Sequence, residues 1–215
     1  MQARSVGVAP ERLGRWLENF HTRHGEVRYD ATADLVTVVA EDSVVARIDV
    51  PFPPLDGDTV EDLITHALRP RRFGVLLVRR GGYGVAVFDG ATLTASKVGS
   101  RHVQGTTKAG GWSQQRFARR RDNQAREAFG AAADVAARIL LPETKNLVAL
   151  FRGGDRRAVE TVLADSRLVA LVPLVRDPFL AVPDPRRQVL EKAGADARQV
   201  RVTVTEPEAT GNGRS

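Results

Sequence analysis

Apolar residues recur along the chain at several different periods, and each period predicts an element. Leu13, Trp16, Leu17 and Phe20 keep helical spacing behind Pro10, which predicts a helix over 10–24. Strands are predicted at 27–29, 35–40 and 44–50, the last two forming a hairpin across Glu41-Asp42-Ser43. Pro51, Pro53 and Pro54 end that run, and Asp58 is expected to cap a short helix, TVEDLITHAL. The unbroken apolar run GVLLV at 74–78 predicts a strand buried on both faces. YGVAVFD and ATLTASKVG follow as further strands of an antiparallel meander.

From Gly99 to Gly111 the periodicity stops, and the polar, glycine-rich stretch predicts an exposed loop. A long helix is predicted from Ser113 to Leu141, closed by Pro142. A buried strand at 147–154, a helix over RRAVETVLAD and a strand or short helix-to-strand region over RLVALVPLV come next. A helix over PDPRRQVLEKAG is expected to end at Gly194, and QVRVTVTE alternates as a final strand. The whole is a mixed α/β chain with no internal repeats.

Composition narrows the function classes. With 42% hydrophobic and 27% charged residues the chain has the make-up of a globular protein. Its formal net charge of +6 and pI near 10.4 predict attraction to polyanions. Cysteine is absent, which excludes disulfides, thiolate catalysis and cysteine-ligated zinc. No apolar run reaches the roughly 18 residues that span a bilayer, and no signal peptide is evident. A cytoplasmic protein without a membrane association is expected.

The charge is concentrated in one place. Lys97, Arg101, Lys108, Arg116, Arg119, Arg120, Arg121 and Arg126 are opposed between 97 and 126 by Asp122 alone, so this segment carries +7. The arginines nearly encircle the first turns of the predicted helix, which therefore cannot be packed there and should face solvent or a partner. Guanidinium forks suit phosphate, and the clustering suits an RNA backbone. Gly110 and Gly111 ahead of the helix allow close backbone approach and leave N–H groups free near a helix start, where oxyanions are stabilised. Trp112, in a loop with no core to join, is expected to stack on a base or ribose.

The run GGWSQQRFARRRDNQ at 110–124 resembles the signature of archaeal and eukaryotic class I translation release factors, a GGQ loop followed by a Ser-x-x-Arg-Phe-Ala-Arg-x-Arg helix. The matching residues are Gly110, Gly111, Ser113, Arg116, Phe117, Ala118, Arg119 and Arg121. FGVLLVRRGGYGVAVFDG before the loop, and LVALFRGGDRRAVETVLAD after the helix, extend the resemblance over about residues 73–172. Trp112 stands where those factors have glutamine, and Gln114 and Gln115 follow two and three positions later. That displacement is similar to the Vms-like release factors of ribosome quality control, in an actinobacterial-type branch.

The resemblance implies a fold, an organisation and an activity. The fold would be a release-factor catalytic core of ribonuclease-H-like type at 73–204, with an N-terminal α/β portion at 1–72 packing on it and a disordered tail at 205–215. The activity would be codon-independent peptidyl-tRNA hydrolysis at the peptidyl transferase centre of stalled large ribosomal subunits, with a glutamine orienting water against the ester. Gln114 and Gln115 both remain candidates, with Gly110 and Gly111 shaping the loop. Lys108, Trp112, Arg101, Arg116, Arg119, Arg120, Arg121 and Arg126 would contact RNA. The partners implied are the large subunit, its ribosomal RNA and peptidyl-tRNA in the P site; a monomer with no cofactor is expected. Two other readings stay open, a non-catalytic ribosome-binding or hibernation factor and a nuclease acting near the CCA end of tRNA.

Other residues read as ordinary. His21 and His24 form an HxxH on the first helix, read as surface or partly packed histidines, and no metal site is expected. His66 and His102 carry no clear chemistry, and most of Asp49, Asp56, Asp58, Glu61 and Asp62 fall at turn and cap positions. RPRR at 69–72 reads equally as an RNA contact or a basic linker.

Overall fold

A computed structural model describes residues 2–79, 82–100 and 113–207, with residues 2 and 113–126 as backbone only. Along the chain run β1 (Gln2–Val8), α1 (Leu13–His24), β2 (Val27–Ala31), β3 (Leu35–Ala40), β4 (Val45–Asp49) and α2 (Val60–Leu68). There follow β5 (Arg72–Arg79), β6 (Gly82–Asp89), β7 (Thr92–Ser100), α3 (Ser113–Leu140) and β8 (Ala149–Gly154). The described chain closes with α4 (Arg156–Leu163), β9 (Val175–Leu180), α5 (Arg187–Ala197) and β10 (Val200–Glu206). Contacts divide it into two units, Met1–Arg69 with Arg198–Ser215, and Pro70–Ala197.

The first unit is an antiparallel sheet in the order β1-β10-β4-β3-β2. Alternation along β3 and β4 turns Val36, Val38, Ala46 and Ile48 to one face. There they join Val200 and Val202 of β10 against Leu13, Leu17 and Phe20 of α1 and Leu63 and Ala67 of α2. The helix α2 starts differently from expectation. Thr59, not Asp58, is the N-cap, and it forms a capping box with Asp62, whose carboxylate is held below its ordinary pKa by the Thr59 hydroxyl and N–H.

Two parts of this sheet differ from the sequence expectation. β1 is a strand that no apolar alternation announces. The final strand, assigned above to the core at 73–204, pairs instead between β1 and β4 and belongs to the first sheet. Its inward residues Val200 and Val202 alternate as predicted, but alternation does not say which sheet a strand will enter. Of the predicted tail, residues 208–215 lie outside the described residues.

The second unit has the sheet order β7-β6-β5-β8-β9. β5, β6 and β7 form the antiparallel meander, and β8 and β9 run parallel to β5. This mixed order, with its second strand reversed, is the ribonuclease-H-like arrangement. β5 is buried from Phe73 to Val78 because both its faces are covered. On one face Leu76 and Val78 meet Ala132, Ala136 and Leu140 of α3 and Val159 and Val162 of α4. On the other, Phe73 stacks on Phe88 at 5.2 Å and meets Phe151 edge-on at 5.7 Å. α5 closes that side, and Gly194 lies inside the helix rather than at its end. A Cβ there would stand 2.3 Å from the Phe88 ring. The region 166–174, read as strand or helix-to-strand, is a 3-10 segment that leads into β9.

Candidate functional site

The described chain before the basic loop ends at a definite edge of the second sheet. β7 pairs its last residue, Ser100, with Gly82, the first residue of β6, and Gly82 faces Arg79 at the end of β5. Because β7, β8 and β9 all run parallel to β5, their C-terminal ends share this edge. The chain leaves β7 here and returns as α3 at Ser113. Arg101, Lys108, Gly110, Gly111, Trp112 and His102, all named above as candidates or neighbours, lie outside the described residues.

α3 is anchored through its C-terminal half. Ala128, Ala132, Ala133, Ala136 and Leu140 are buried at helical spacing, and their small side chains let the helix lie close on the sheet. A Cβ on Gly74 of β5 would be 3.0 Å from Leu140 Cδ2. Two charged ties hold the same half. Arg72 donates from Nε and Nη2 to Glu143, just beyond the helix, at 2.9 and 2.8 Å, which keeps the Glu143 carboxyl below its ordinary pKa. Arg167 donates to Asp134 of α3 at 2.8 Å and to both oxygens of Asp165. Those hydrogen bonds from Arg167 pull Asp165 down to about 2.

The helix is longer than the sheet it packs on. Its 28 residues give about 42 Å of helix, at a rise of ~1.5 Å each. The eight residues of β5 give about 26 Å of strand. α3 runs back toward the start of β8, so the excess length belongs to its N-terminal half, on the side of the sheet edge where β5, β7, β8 and β9 end.

All the remaining candidate residues are on that half as backbone. Gln114 and Gln115 are in the first helical turn, immediately after Ser113, and that turn holds no acidic residue. The helix dipole favours negative charge there. On an ideal helix of ~3.6 residues per turn, the buried row through Ala136, Ala132 and Ala128 continues back through Arg121 to Gln114. Arg116, Arg119, Arg120 and Arg126 fall on the opposite half of the helix, and Gln115 about a quarter turn from Gln114.

The fold brings further basic residues to this unit that sequence spacing does not connect. Arg79, at the end of β5, contacts Asp184 from Nε at 3.1 Å and donates from Nη1 to the Val182 carbonyl at 2.8 Å. Arg152 of β8 and Arg156 of α4 both lie over the Phe179 ring, at 5.9 and 4.3 Å. The parallel pairing of β8 with β9 creates that neighbourhood, and no local motif could have shown it.

The weaker candidates have structural roles. Arg72 of the RPRR run is an ion-pair partner of Glu143, with Asp89 at 3.7 Å, so this arginine fastens the fold. His24 shares a 2.8 Å hydrogen bond with Asp42, and His66 bonds the Pro51 carbonyl. Asp49 lies 3.9 Å from Arg201. Among the described residues no group of three or more His, Cys, Asp or Glu is placed to hold a metal ion.

Comparison with solved structures finds similar chains at low identity. One, described as the Vms1 mitochondrial localization core, is 10% identical with a TM-score of 0.45; the match covers 89% of this chain and 80% of that one. Another, an archaeal translation termination factor aRF1, is 14% identical with a TM-score of 0.44, over 91% of this chain and 66% of that one. No curated protein sequence matches. The profile of a family described as acVLRF1, Actinobacteria/chloroflexi VLRF1 release factor, matches residues 71–203, which is more than half of the chain and nearly all of its second unit. The chain therefore belongs to the VLRF1 release-factor family of actinobacteria and chloroflexi, and its role is one of release or rescue at the ribosome.

Proposed function

We propose that this chain is a codon-independent peptidyl-tRNA hydrolase, a cytoplasmic enzyme that frees nascent chains from stalled large ribosomal subunits. What carries the reading is the continuity of α3. One helix leads from the buried Leu140 to Ser113, directly behind Gly110-Gly111-Trp112, with Gln114 and Gln115 in its first turn. An anchored helix is the support a short catalytic segment needs to be held in position over a bound substrate.

In the proposed reaction, water attacks the carbonyl carbon of the ester between peptide and terminal tRNA ribose. A tetrahedral oxyanion forms, the bond to the ribose oxygen breaks, and of the water's two protons one passes to that oxygen and the other to solvent. The products are a free peptide carboxylate and tRNA with an intact terminal hydroxyl. An amide side chain is too weak a base to remove the proton, so Gln114 or Gln115 acts by orienting water and stabilising charge. Arg116, Arg119 and Arg120, on the half of the helix away from its packed row, would lie along ribosomal RNA phosphates, with Arg121, Arg126, Arg101 and Lys108 adding charge.

The test is incubation of the purified protein with large subunits carrying peptidyl-tRNA in the P site. Free peptide with intact tRNA is expected. Binding without release would make the protein an occupant of the tRNA site instead, and tRNA shortened near its CCA end would make it a nuclease.

A further inference from the structure

The apolar face of the first sheet is left partly open at its β1 side. α1 seats Leu13, Leu17 and Phe20 over the sheet, whereas Val6 of β1 stays 38% exposed and Trp16 and Val204 are half-buried. The open strip is the floor of a groove of about 500 Å³, lined by Arg4, Val6, Trp16, Phe20, Arg23 and Glu206 among others. Trp16 stacks on Phe20 at 5.4 Å and 19°, giving the groove a rigid aromatic wall.

β1 is also a sheet edge. Residues 3–7 are all exposed, and no backbone hydrogen bond joins β1 to any described segment other than β10. A seven-residue edge without proline presents a row of alternating donors and acceptors, which is a template for another strand. Charge then selects among strands. Neither Arg4 nor Arg23 is in an ion pair among the described residues, and Glu206 is the one carboxylate of the lining.

We propose that β1 and this groove bind an extended acidic peptide, which adds to the sheet as a sixth strand with alternate side chains entering the groove. The backbone of such a peptide matches donors and acceptors alike, and its apolar side chains meet Val6 and Trp16 while its carboxylates meet Arg4 and Arg23. A nucleic-acid strand offers phosphate acceptors but not the matching donors. A second copy of β1 would bring two Arg4 side chains into one strip, which like charges oppose.

Trp112→Phe leaves Trp16 as the sole tryptophan and so as the reporter of the groove. The full chain carrying that change is titrated with a roughly twelve-residue alternating Glu/Val peptide, long enough to span β1, with its Lys/Val counterpart and with single-stranded oligouridylate. The acidic peptide is expected to shift Trp16 emission saturably, and Arg4→Glu with Arg23→Glu to weaken it about tenfold. Ser5→Pro, with its fold checked by circular dichroism, should abolish binding; if it unfolds, the charge-reversed variant decides. Equal binding of the Lys/Val peptide, displacement of the acidic peptide by oligouridylate, a peptide-free dimer in sedimentation, or no saturable shift would each overturn the proposal.

Discussion

Gly130 interrupts an otherwise favourable stretch of α3, and its replacement by alanine should stabilise the second unit. The position is exposed, it lies well inside the helix, and a Cβ placed there meets nothing within 4 Å. With no packing term to gain or lose, the effect reduces to backbone entropy and helix propensity, worth about 0.5–1 kcal/mol in favour of alanine. That corresponds to a rise of roughly 2–5 °C in Tm for a unit of this size. Gly194→Ala is the internal contrast. It has the same helix preference, yet its Cβ would stand 2.3 Å from the Phe88 ring, so it should destabilise by about 1–3 kcal/mol. Urea unfolding followed by circular dichroism measures both. If Gly130→Ala lowered the midpoint, the helix would not run unbroken past residue 130, and the support assigned to Gln114 and Gln115 would fail with it.

Other outcomes follow from the same arrangement. Gln114→Ala or Gln115→Ala should lower peptide release about 100-fold while leaving ribosome binding intact; full release by both would remove glutamine from the mechanism. Arg119→Ala with Arg120→Ala should weaken ribosome binding and reduce its salt dependence by roughly one unit of slope per arginine, measured by co-sedimentation at several salt concentrations. Asp165 is held at about 2, below the ordinary 3.8, so the folded state binds its proton less readily than the unfolded chain does. Its contribution is complete above about pH 4 and is lost as pH falls toward 2. Arg167→Ala should therefore raise the midpoint of acid unfolding, and an unchanged midpoint would mean the pair contributes nothing.

Periodicity was a good guide wherever burial is set by near neighbours. Leu35–Ala40 alternates because its partner strand is a short turn away, and β5 is apolar throughout because helices cover both of its faces. The long helix was legible from Ala132, Ala136 and the terminating Pro142. Edges and distant partners were not legible. β1 exposes residues 3–7, so it carries no alternation, and its pairing partner lies at the far end of the chain. β9 exposes Arg176 and Asp177 directly after Val175, and Gly194 resembles a helix stop although a phenylalanine ring is what requires it to be small. The candidate site was legible as a motif because its chemistry is contiguous, Gly110 to Arg121, whereas the Arg152–Phe179–Arg156 cluster exists only through a crossover.

The position of β10 has a bearing on how such a protein comes off the ribosome that makes it. It is an interior strand of the first sheet, yet it is synthesised after the whole of the second unit. While residues 50–199 are being made, β1 and β4 have emerged with a vacancy between them where Val200 and Val202 will sit. At ~5–20 residues per second that interval lasts on the order of ten seconds. Two unpaired edges and an open apolar face must be kept from aggregating during that time, and a nascent chain of this release factor that stalls before Val200 is left with its first sheet unclosed.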